Sequence, residues 1–463
     1  MIGGRLRVQL VSGIRILKRL LMNPLFHKAV LFNLLFWVLA LQTQSNAQSK
    51  FTEFSAYFVK GYQALNMPDM ELSYVAGLQH IKSADSVKKQ LDFFMSVKAQ
   101  LAGYKTAELT PSEQQDRELI AYETALNLQR LALEQAWTKN PPAKIYEGGI
   151  YNIPNGKAWY AYLLKRWVND EVSPDQIYQF GLAEVERVKG KIEAIRKQTG
   201  MGEDDFYNHL NDPSFFVSDS NEVQRSFEHT KDVVYSNLPK LFNVIKIPDL
   251  AIKRGTQEAL AQTPGYYDSN TFYYNLFDRP YNKRDFGWLF IHEAVPGHHY
   301  QLSIVAQTKV SPVQQLFFYL GFAEGWAAYT EEMGKELGAY PTLYDELGKW
   351  QWDIVRSVRV PLDVGLNYYG WTDQQALDFW KKNIRGQDGI AMREIARMRR
   401  WPAQVVTYKY GALQILHWKE TLQKEQGKDF DIREFHDRVL NHGSLPLFMV
   451  KENVFKVNEY KRT

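Results

Sequence analysis

The stretch Ile291–Gln301 reads IHEAVPGHHYQ, and the interpretation of the whole chain depends on it. Three of the ten histidines fall within eight positions here, and Glu293 stands directly after the first of them. Zinc hydrolases often place two histidines four residues apart on one helix face, with a glutamate beside the first as general base. Here the fourth residue after His292 is Pro296, which cannot bind a metal. A regular helix therefore cannot build such a site from this segment.

The two later histidines, His298 and His299, need a break in the helix before either can join His292. In an ideal helix His298 would lie about 9 Å along the axis on the wrong face, and His299 would lie about 10.5 Å away. Pro296–Gly297 supplies a break, because proline removes a backbone hydrogen bond and glycine accepts unusual dihedral angles. A kink there could return His298 to the side of His292. The alternative is a surface loop that holds several histidines.

A second segment, Phe322–Glu332 (FAEGWAAYTEE), offers an acid for the same site. Glu324 stands among small and aromatic residues, so it is expected to face inward, where carboxylates are usually paired or metal-bound. Two histidines and one glutamate with an open fourth position is the pattern of a catalytic zinc site. The alternative for Glu324 is a salt bridge between helices. Glu331, two turns further on, is a candidate outer partner of a metal ligand, or else part of a solvated face with Glu332.

Composition limits what else could hold a metal. The chain has 463 residues, of which 45% are apolar and 23% charged, as in an ordinary globular protein of two to three domains. Cysteine is absent. This excludes disulfides, cysteine zinc sites, thiol nucleophiles, iron–sulfur clusters and an anchor on a lipid-modified cysteine. Any metal must therefore be held by histidine and carboxylate.

The N-terminal segment has the layout of a secretory signal peptide. The apolar stretch Ala29–Leu41 follows Lys28 and is followed by a small-x-small exit that predicts cleavage near Ala47. We expect translation to start at Met22, with Met1–Leu21 an upstream extension; the alternative for Ala29–Leu41 is an uncleaved anchor. Residues 1–47 hold six basic side chains and no acid, so the formal charge falls from +4 to −2 on their removal. The sequence thus predicts a periplasmic or secreted protein with no nucleic-acid partner and no stable membrane anchor.

The remaining chain is expected to be mainly α-helical. Apolar residues recur at helical spacing after Ser173-Pro174, a typical helix start. A soft boundary near Pro239–Pro248 separates an N-terminal helical region, 48–240, from a catalytic helical region with short strands, 241–463. The two regions are expected to form one compact unit. The other predicted helices are Ser86–Leu101, Gln114–Leu133, Ser311–Leu337, Thr372–Lys382 and Tyr408–Glu425, and the predicted strands are Leu250–Lys253 and Phe272–Leu276.

Several blocks of the sequence, taken in order, resemble the bacterial "domain of unknown function 885" family. That family is in turn similar to the gluzincin metallopeptidases, which include angiotensin-converting enzyme, oligoendopeptidases and carboxypeptidase Taq. The resemblance covers most of the chain after the leader, and the histidine-rich block is its most specific part. The blocks are His292–Gln301, Glu324–Tyr329, Pro264–Tyr267 with Phe272–Asn275, Arg279–Tyr281, Arg356–Trp371 and Trp401–Gly411.

This resemblance implies a mainly helical gluzincin-like fold with a deep cleft and a small β-sheet beside the site helix. It implies zinc bound by His292, His298 and Glu324, since the second ligand follows the glycine in relatives with the same Gly-His spelling. His299 would then be an outer partner or face the substrate. Glu293 would be the general base toward water whose pKa the metal lowers to about 7.

The resemblance also implies substrate contacts. The strand Phe272–Leu276, with Tyr273 and Asn275, would bind an extended peptide through its backbone. Tyr408 would donate to the oxyanion, although a core tyrosine is the alternative. Apart from the resemblance, the positive charges of Lys409, Arg393 and Arg397 could receive a substrate carboxylate, with a solvated basic face the alternative for the arginines. Two departures from the family pattern are Asn367, where a histidine is frequent, and Ala403, where a glycine is frequent; Asn367 would lie around the site.

From these points we expect an exported zinc hydrolase that cleaves peptide bonds. Two alternatives stay open. One is an amidohydrolase that acts on cell-wall or other non-peptide amides. The other is a non-catalytic, metal-dependent binding or scaffold protein of the same fold. Glu293 argues against the second alternative, because a structural zinc site needs no free carboxylate beside its ligand.

Overall fold

A computed structural model describes residues 50–456 except positions 69 and 262. The expected upstream extension, the signal peptide with its apolar stretch Ala29–Leu41 and the cleavage position near Ala47 lie outside the described residues. The expected mainly helical class is confirmed. The helices are α1 (50–64), α2 (Tyr74–Gln79), α3 (Ala84–Leu101), α4 (Pro111–Lys139), α5 (Gly156–Val168), α6 (Pro174–Thr199), α7 (Glu203–His209), α8 (Ser220–Asn237), α9 (Phe286–Glu293), α10 (His298–Gln307), α11 (Leu320–Thr330), α12 (Leu343–Val364), α13 (Asp373–Asn383), α14 (Asp388–Arg400), α15 (Val406–Gln426), α16 (Ile432–Leu440) and α17 (Leu447–Phe455).

The strands form two small sheets. β1 (Phe216–Val217) pairs with β5 (Tyr281–Asn282) in antiparallel orientation. The larger sheet has the order β2-β4-β3, in which β4 (Thr271–Tyr274) pairs in parallel with β2 (Ala251–Arg254) and antiparallel with β3 (Gly265–Asp268). β4 is therefore the central strand, with partners along both edges. The small sheet expected near the site helix is present.

Local signals explain where several helices begin. Ser173 and Thr372 each close a capping box at the start of α6 and α13, in which the side chain accepts from a backbone N–H one turn on. The predicted helix Ser311–Leu337 is wrong. A turn occupies the segment after Ser311, α11 starts only at Leu320, and it ends at Thr330. Ser311 instead caps that turn by accepting from the backbone N–H of Gln314.

The core and two close helix crossings set the position of the site. One hydrophobic cluster contains buried residues from both 48–240 and 241–463, so the segments share a core; their division into domains stays a prediction. α11 and α15 cross where Gly325 meets Gly411, and a Cβ on Gly325 would lie 2.5 Å from the Gly411 Cα. Only glycine allows that approach, which places Glu324 and Tyr408 on neighbouring backbones. Among the described helices, none combines the length and apolarity needed to cross a membrane.

Candidate metal centre

The site helix breaks where the sequence predicts a break. α9 ends at Glu293, the Ala294 backbone leaves the helical region (φ −105°, ψ −104°), and α10 starts again at His298. Gly297 packs against the last turn of α9, where a Cβ would lie 1.9 Å from the His292 carbonyl oxygen. No side chain fits there, so glycine is required at this position. The break turns the chain so that His298 lies beside His292, with ring centroids 5.0 Å apart.

Three side chains from three helices converge at this break. His292 (α9), His298 (α10) and Glu324 (α11) each offer one ligand atom, and these atoms lie within 4.8 Å of one another. Glu324 Oε2 is 3.7 Å from His292 Nε2 and 3.5 Å from His298 Nε2. His292 is buried, whereas the side chains of His298 and Glu324 are each 15% exposed. Protein therefore surrounds His292, whereas His298 and Glu324 each keep some contact with solvent.

The donors fit a zinc ion. Tetrahedral zinc with bonds of about 2.0–2.2 Å sets its nitrogen and oxygen ligands roughly 3.3–3.5 Å apart, close to the separations seen here. Glu324 Oε2 is buried and forms no hydrogen bond within the geometric limits among the described residues; its nearest neighbours that can carry positive charge are the two histidines at 3.5 and 3.7 Å. A buried carboxylate oxygen without a hydrogen bond is costly unless a positive charge, on a histidine or a metal ion, lies against it. Two histidines and one glutamate can hold zinc and leave a fourth position open.

His292 is fixed from behind by an ion pair. Its Nδ1 lies 2.8 Å from Glu331 Oε1, which also accepts from Arg356 Nη1 at 2.5 Å. A carboxylate partner at Nδ1 directs Nε2 toward Glu324, as outer partners of metal ligands commonly do. Burial lowers the pKa of His292, but Glu324 and Glu331 outweigh burial and raise that pKa to about 9. The two carboxylates therefore favour a positive charge at His292, either a proton or a metal ion.

Glu293 and Tyr408 flank the triad. Glu293 Oε1 lies 4.0 Å from His292 Nε2, and its side chain is 14% exposed. Burial raises the pKa of the Glu293 carboxyl, against the opposing effect of the two histidines. The Tyr408 ring stacks over His292 with centroids 6.5 Å apart, and its hydroxyl accepts from Gln404 Nε2 at 3.2 Å. Burial raises the pKa of Tyr408, and Glu324 adds to that rise, so the phenol keeps its proton.

His299 is not placed to bind a substrate or a metal. It is fully buried, and its Nε2 lies 3.0 Å from the Pro248 carbonyl, which can only accept a hydrogen bond. The other ring nitrogen, Nδ1, therefore accepts from the Tyr267 hydroxyl at 3.1 Å. Both nitrogens are used to join the site helix to the sheet. The expectation of a substrate-facing His299 is wrong in this structure.

The expected peptide-binding role of the Phe272–Leu276 strand is also wrong. Both edges of β4 are already paired, so its backbone cannot receive another chain. Tyr273 stacks on Tyr266 on the sheet face opposite Phe272, which packs toward the site helix. The Asn275 amide nitrogen donates to the Leu260 and Thr263 carbonyls at 2.8 and 3.0 Å. Asn275 thus holds the preceding loop in place instead of pointing at a substrate.

Lys409, expected to receive a substrate carboxylate, is sealed in a buried ion cluster. Its Nζ lies 2.7 and 2.9 Å from the two Asp353 oxygens and 3.1 Å from Glu184 Oε2. Lys349 pairs with the same aspartate and with Glu332. All donors of the Lys409 ammonium have acceptors within the fold. The substrate expectation for Lys409 is therefore wrong, and its role is to stabilise the packing of α15 on α12 and α6.

We expect Lys409→Met to lower the free energy of unfolding by about 3–5 kcal/mol, because it leaves buried carboxylates without one of their partners. The midpoint of denaturant unfolding measures the change. Lys424→Met, on the exposed face of the same helix, should shift stability by no more than about 0.5 kcal/mol. If Lys409→Met kept wild-type stability and only weakened peptide binding, the substrate role would be restored.

Arg397, Arg393 and Asn367 are the remaining residues that the sequence predicts for the site. Arg397 donates to Gln404 Oε1 at 2.8 Å, which links it through Gln404 to Tyr408. Arg393 lines a neighbouring cavity and contacts Glu394. Asn367 is buried and donates to Asp363 Oδ1 and to the Met398 carbonyl, so its contacts lie within the packing of α12 and α14. Within the described part of the chain, the hydrogen bonds of Asn367 lead away from the triad, so its expected place around the site stays a prediction.

Sequence reasoning missed two residues that shape the site. Arg356 sets the position of Glu331, and its guanidinium also lies 5.7 Å from the centroid of the Tyr408 ring. The available signal was a pair of arginines three residues apart, Arg356 and Arg359, in an otherwise apolar helix segment. Such buried charges need partners. Gln404 orients the Tyr408 hydroxyl. The sequence does not indicate this role, because a glutamine outside a helix or strand is usually exposed to solvent.

Several solved structures are similar to this one, and two of them are described below. A protein from Colwellia psychrerythraea described as a "putative lipoprotein" matches with a TM-score of 0.62 and 25% identity, over 82% of this chain and 68% of that one. A "putative lipoprotein of unknown function" from Shewanella oneidensis matches with a TM-score of 0.66 and 19% identity, over 88% of this chain and 100% of that one. No curated protein matches the chain. Residues 125–454 match the family model described as "Bacterial protein of unknown function (DUF885)". With well over half of its length matched, the chain belongs to the DUF885 family, as its sequence blocks predicted.

Proposed function

We propose that this protein is an exported zinc-dependent peptidase of gluzincin type. The observation that carries the proposal is the convergence of His292, His298 and Glu324, in which the buried Glu324 oxygen forms no hydrogen bond among the described residues and a further carboxylate, Glu293, lies at the edge of the triad. Structural zinc sites are closed by four protein ligands, whereas this group offers three and remains accessible. A metal site with a neighbouring general base is the arrangement of hydrolytic enzymes.

A zinc ion held by the triad would supply a Lewis acid that polarises the scissile carbonyl and acidifies water. Glu293 accepts a proton from the attacking water as its oxygen bonds to the carbonyl carbon. The Tyr408 hydroxyl, held by Gln404, donates to the carbonyl oxygen as negative charge develops there. Glu293 then passes the proton to the amide nitrogen when the carbon–nitrogen bond breaks, which regenerates its carboxylate.

One edge strand of the three-stranded sheet, β3, supports a peptide as the substrate. In the β3–β4 register, Asn275 N donates to the Pro264 carbonyl, so the alternation of paired residues turns the backbone groups of Gly265 and Tyr267 away from β4. β3 lies along the site helices, since the Tyr267 hydroxyl bonds to His299. β3, in place of β4, is therefore the strand that we propose adds an extended peptide to the sheet.

Export is part of the same proposal. The leader before Ala47 has the layout of a signal peptide, and both similar structures are described as lipoproteins. This chain has no cysteine to carry a lipid, so we propose a periplasmic or secreted form without a lipid anchor.

Metal removal tests the function directly. We expect the zinc-loaded protein to cleave members of a peptide mixture, to lose that activity after dialysis against a chelator, and to regain it when zinc is added back. Mass spectrometry of the products measures cleavage and locates the cut bonds. A zinc-loaded, folded protein that leaves every peptide intact would contradict the proposal, and turnover of non-peptide amides alone would favour an amidohydrolase.

A further inference from the structure

Two arginines near Tyr408 share one buried carboxylate. Arg359 and Glu394 are each 3% exposed, with Arg359 Nη2 at 2.8 Å from Glu394 Oε2. Arg397 Nη1 lies 3.9 Å from the same oxygen. Within residues 50–456 as described, Glu394 is the one acid that forms an ion pair with either arginine. This arginine cluster (Arg359, Glu394 and Arg397) therefore holds more positive than negative charge.

The cluster also has unused hydrogen-bonding groups. Arg359 Nε and Arg397 Nε are both buried, and neither has a hydrogen-bond partner among the described residues. Burial lowers the pKa of Arg359 to about 10, against the opposing effect of Glu394. Buried guanidinium N–H groups are normally paired, because an unpaired one costs free energy. Unpaired donors together with excess positive charge are the properties of a site for an anion.

The cluster lies between the candidate active site and a cavity. On one side, Arg397 reaches Tyr408 through Gln404. On the other side, the Arg359 guanidinium lies 5.5 Å from the centroid of the Trp352 ring, which stacks on Trp288 of the site helix. Trp352 lines a cavity of about 330 Å³ that extends to Pro264, next to the edge strand β3. A substrate carbonyl held by Tyr408 would therefore lie near the cluster, which is two hydrogen bonds away from that hydroxyl.

We propose that Arg359 and Arg397 bind a carboxylate of the peptide substrate close to the scissile bond. The inference rests on the peptidase function proposed above and specifies its substrate class: peptides with a C-terminal carboxylate or an acidic side chain next to the cleavage position. A carboxylate matches the planar guanidinium donors and supplies the negative charge that the cluster lacks. In this role the arginines select the substrate and take no part in proton transfer.

Binding to the zinc-loaded Glu293→Gln variant tests the subsite without turnover. The probes are dansylated penta-alanine as the free acid, the same peptide as the C-terminal amide, and an amide whose last residue is glutamate. We expect the free acid to bind about tenfold or more tighter than the alanine amide, as for a charge-assisted hydrogen bond. If the glutamate amide binds as tightly as the free acid, a side-chain carboxylate suffices; if not, the C-terminal carboxylate is the ligand.

Variants in the same background locate the subsite. Arg359→Gln and Arg397→Gln should each reduce the acid-to-amide affinity ratio to near one. Arg400 is an exposed arginine on α14, the helix that also carries Arg397, and Arg400→Gln should keep the wild-type acid-to-amide affinity ratio. Arg397 is the less buried of the pair, so its variant preserves the test if Arg359→Gln does not fold. Equal affinity for acid and amide, or a preference that survives both changes, would overturn the subsite.

Failure of the subsite and failure of the proposed function give different results. Cleavage of the peptide mixture by the wild type, with equal affinity of the Glu293→Gln variant for acid and amide, overturns the subsite alone. A tenfold acid preference without any cleavage supports the subsite and overturns the peptidase.

Discussion

Glu293→Gln should reduce kcat for peptide cleavage by about a thousandfold while the protein keeps its zinc and its fold. Among the described residues, Glu293 is the carboxylate at the triad that is neither in the proposed ligand set nor bound to an arginine or lysine. Its oxygen lies 4.0 Å from His292 Nε2, near enough to reach water bound next to the triad. Glutamine has nearly the same shape but cannot accept and return a proton. The loss should therefore fall on kcat, with KM little changed.

Three measurements separate this role from a structural one. Metal analysis of the purified variant should give the same zinc content as the wild type, thermal unfolding should be unchanged within error, and only turnover should fall. Glu336→Gln, an exposed glutamate on the segment after α11, serves as the matched control and should retain activity. A Glu293→Gln protein that turns over peptides at the wild-type rate would contradict the mechanism. Loss of zinc from it would mean that Glu293 belongs among the ligands.

The sequence carried most of the information for the triad because the signals were local. Pro296–Gly297 showed that the helix must break, and the small residues around Glu324 showed that this acid faces inward. The side chains that hold the site in place come from distant segments. Asp353, whose carboxylate pairs with the Lys409 ammonium, is 56 residues away in sequence. The run Thr407-Tyr408-Lys409-Tyr410 does not indicate that such a partner exists. A lysine next to Tyr408, the candidate oxyanion donor, is therefore predicted from sequence alone to contact the substrate.

Strand order is a similar case. The composition of Phe272–Leu276 correctly indicated a strand, since aromatic residues favour the sheet. Composition does not say whether a strand lies at an edge or in the centre, because that depends on pairing with segments elsewhere in the chain. Composition alone therefore predicts a peptide-binding role for β4, whose edges are both occupied, whereas β3 lies at an edge of the sheet.

The choice between His298 and His299 could not be made from spacing, but the structure predicts a clear difference between their variants. His298→Ala removes one of three converging ligand atoms, so we expect zinc to be lost on dialysis and activity to disappear. The fall in affinity should exceed the roughly 10–100-fold that loss of an outer partner costs. His299→Ala should retain zinc, because both its nitrogens bond to Pro248 and Tyr267 and neither faces the triad.

His299→Ala should instead lower stability, by about 1–3 kcal/mol for each buried partner left unsatisfied, since the Tyr267 hydroxyl and the Pro248 carbonyl both lose their bonds. Zinc content after dialysis and the midpoint of thermal unfolding, measured on both variants, therefore distinguish the roles of the two histidines. His298→Ala loses metal, and its metal-free form should unfold near the temperature of metal-free wild type. His299→Ala keeps metal but unfolds earlier. If His299→Ala were the variant that lost zinc, His299 would replace His298 in the triad. The break at Pro296–Gly297 would then have to bring His299, and not His298, to the side of His292.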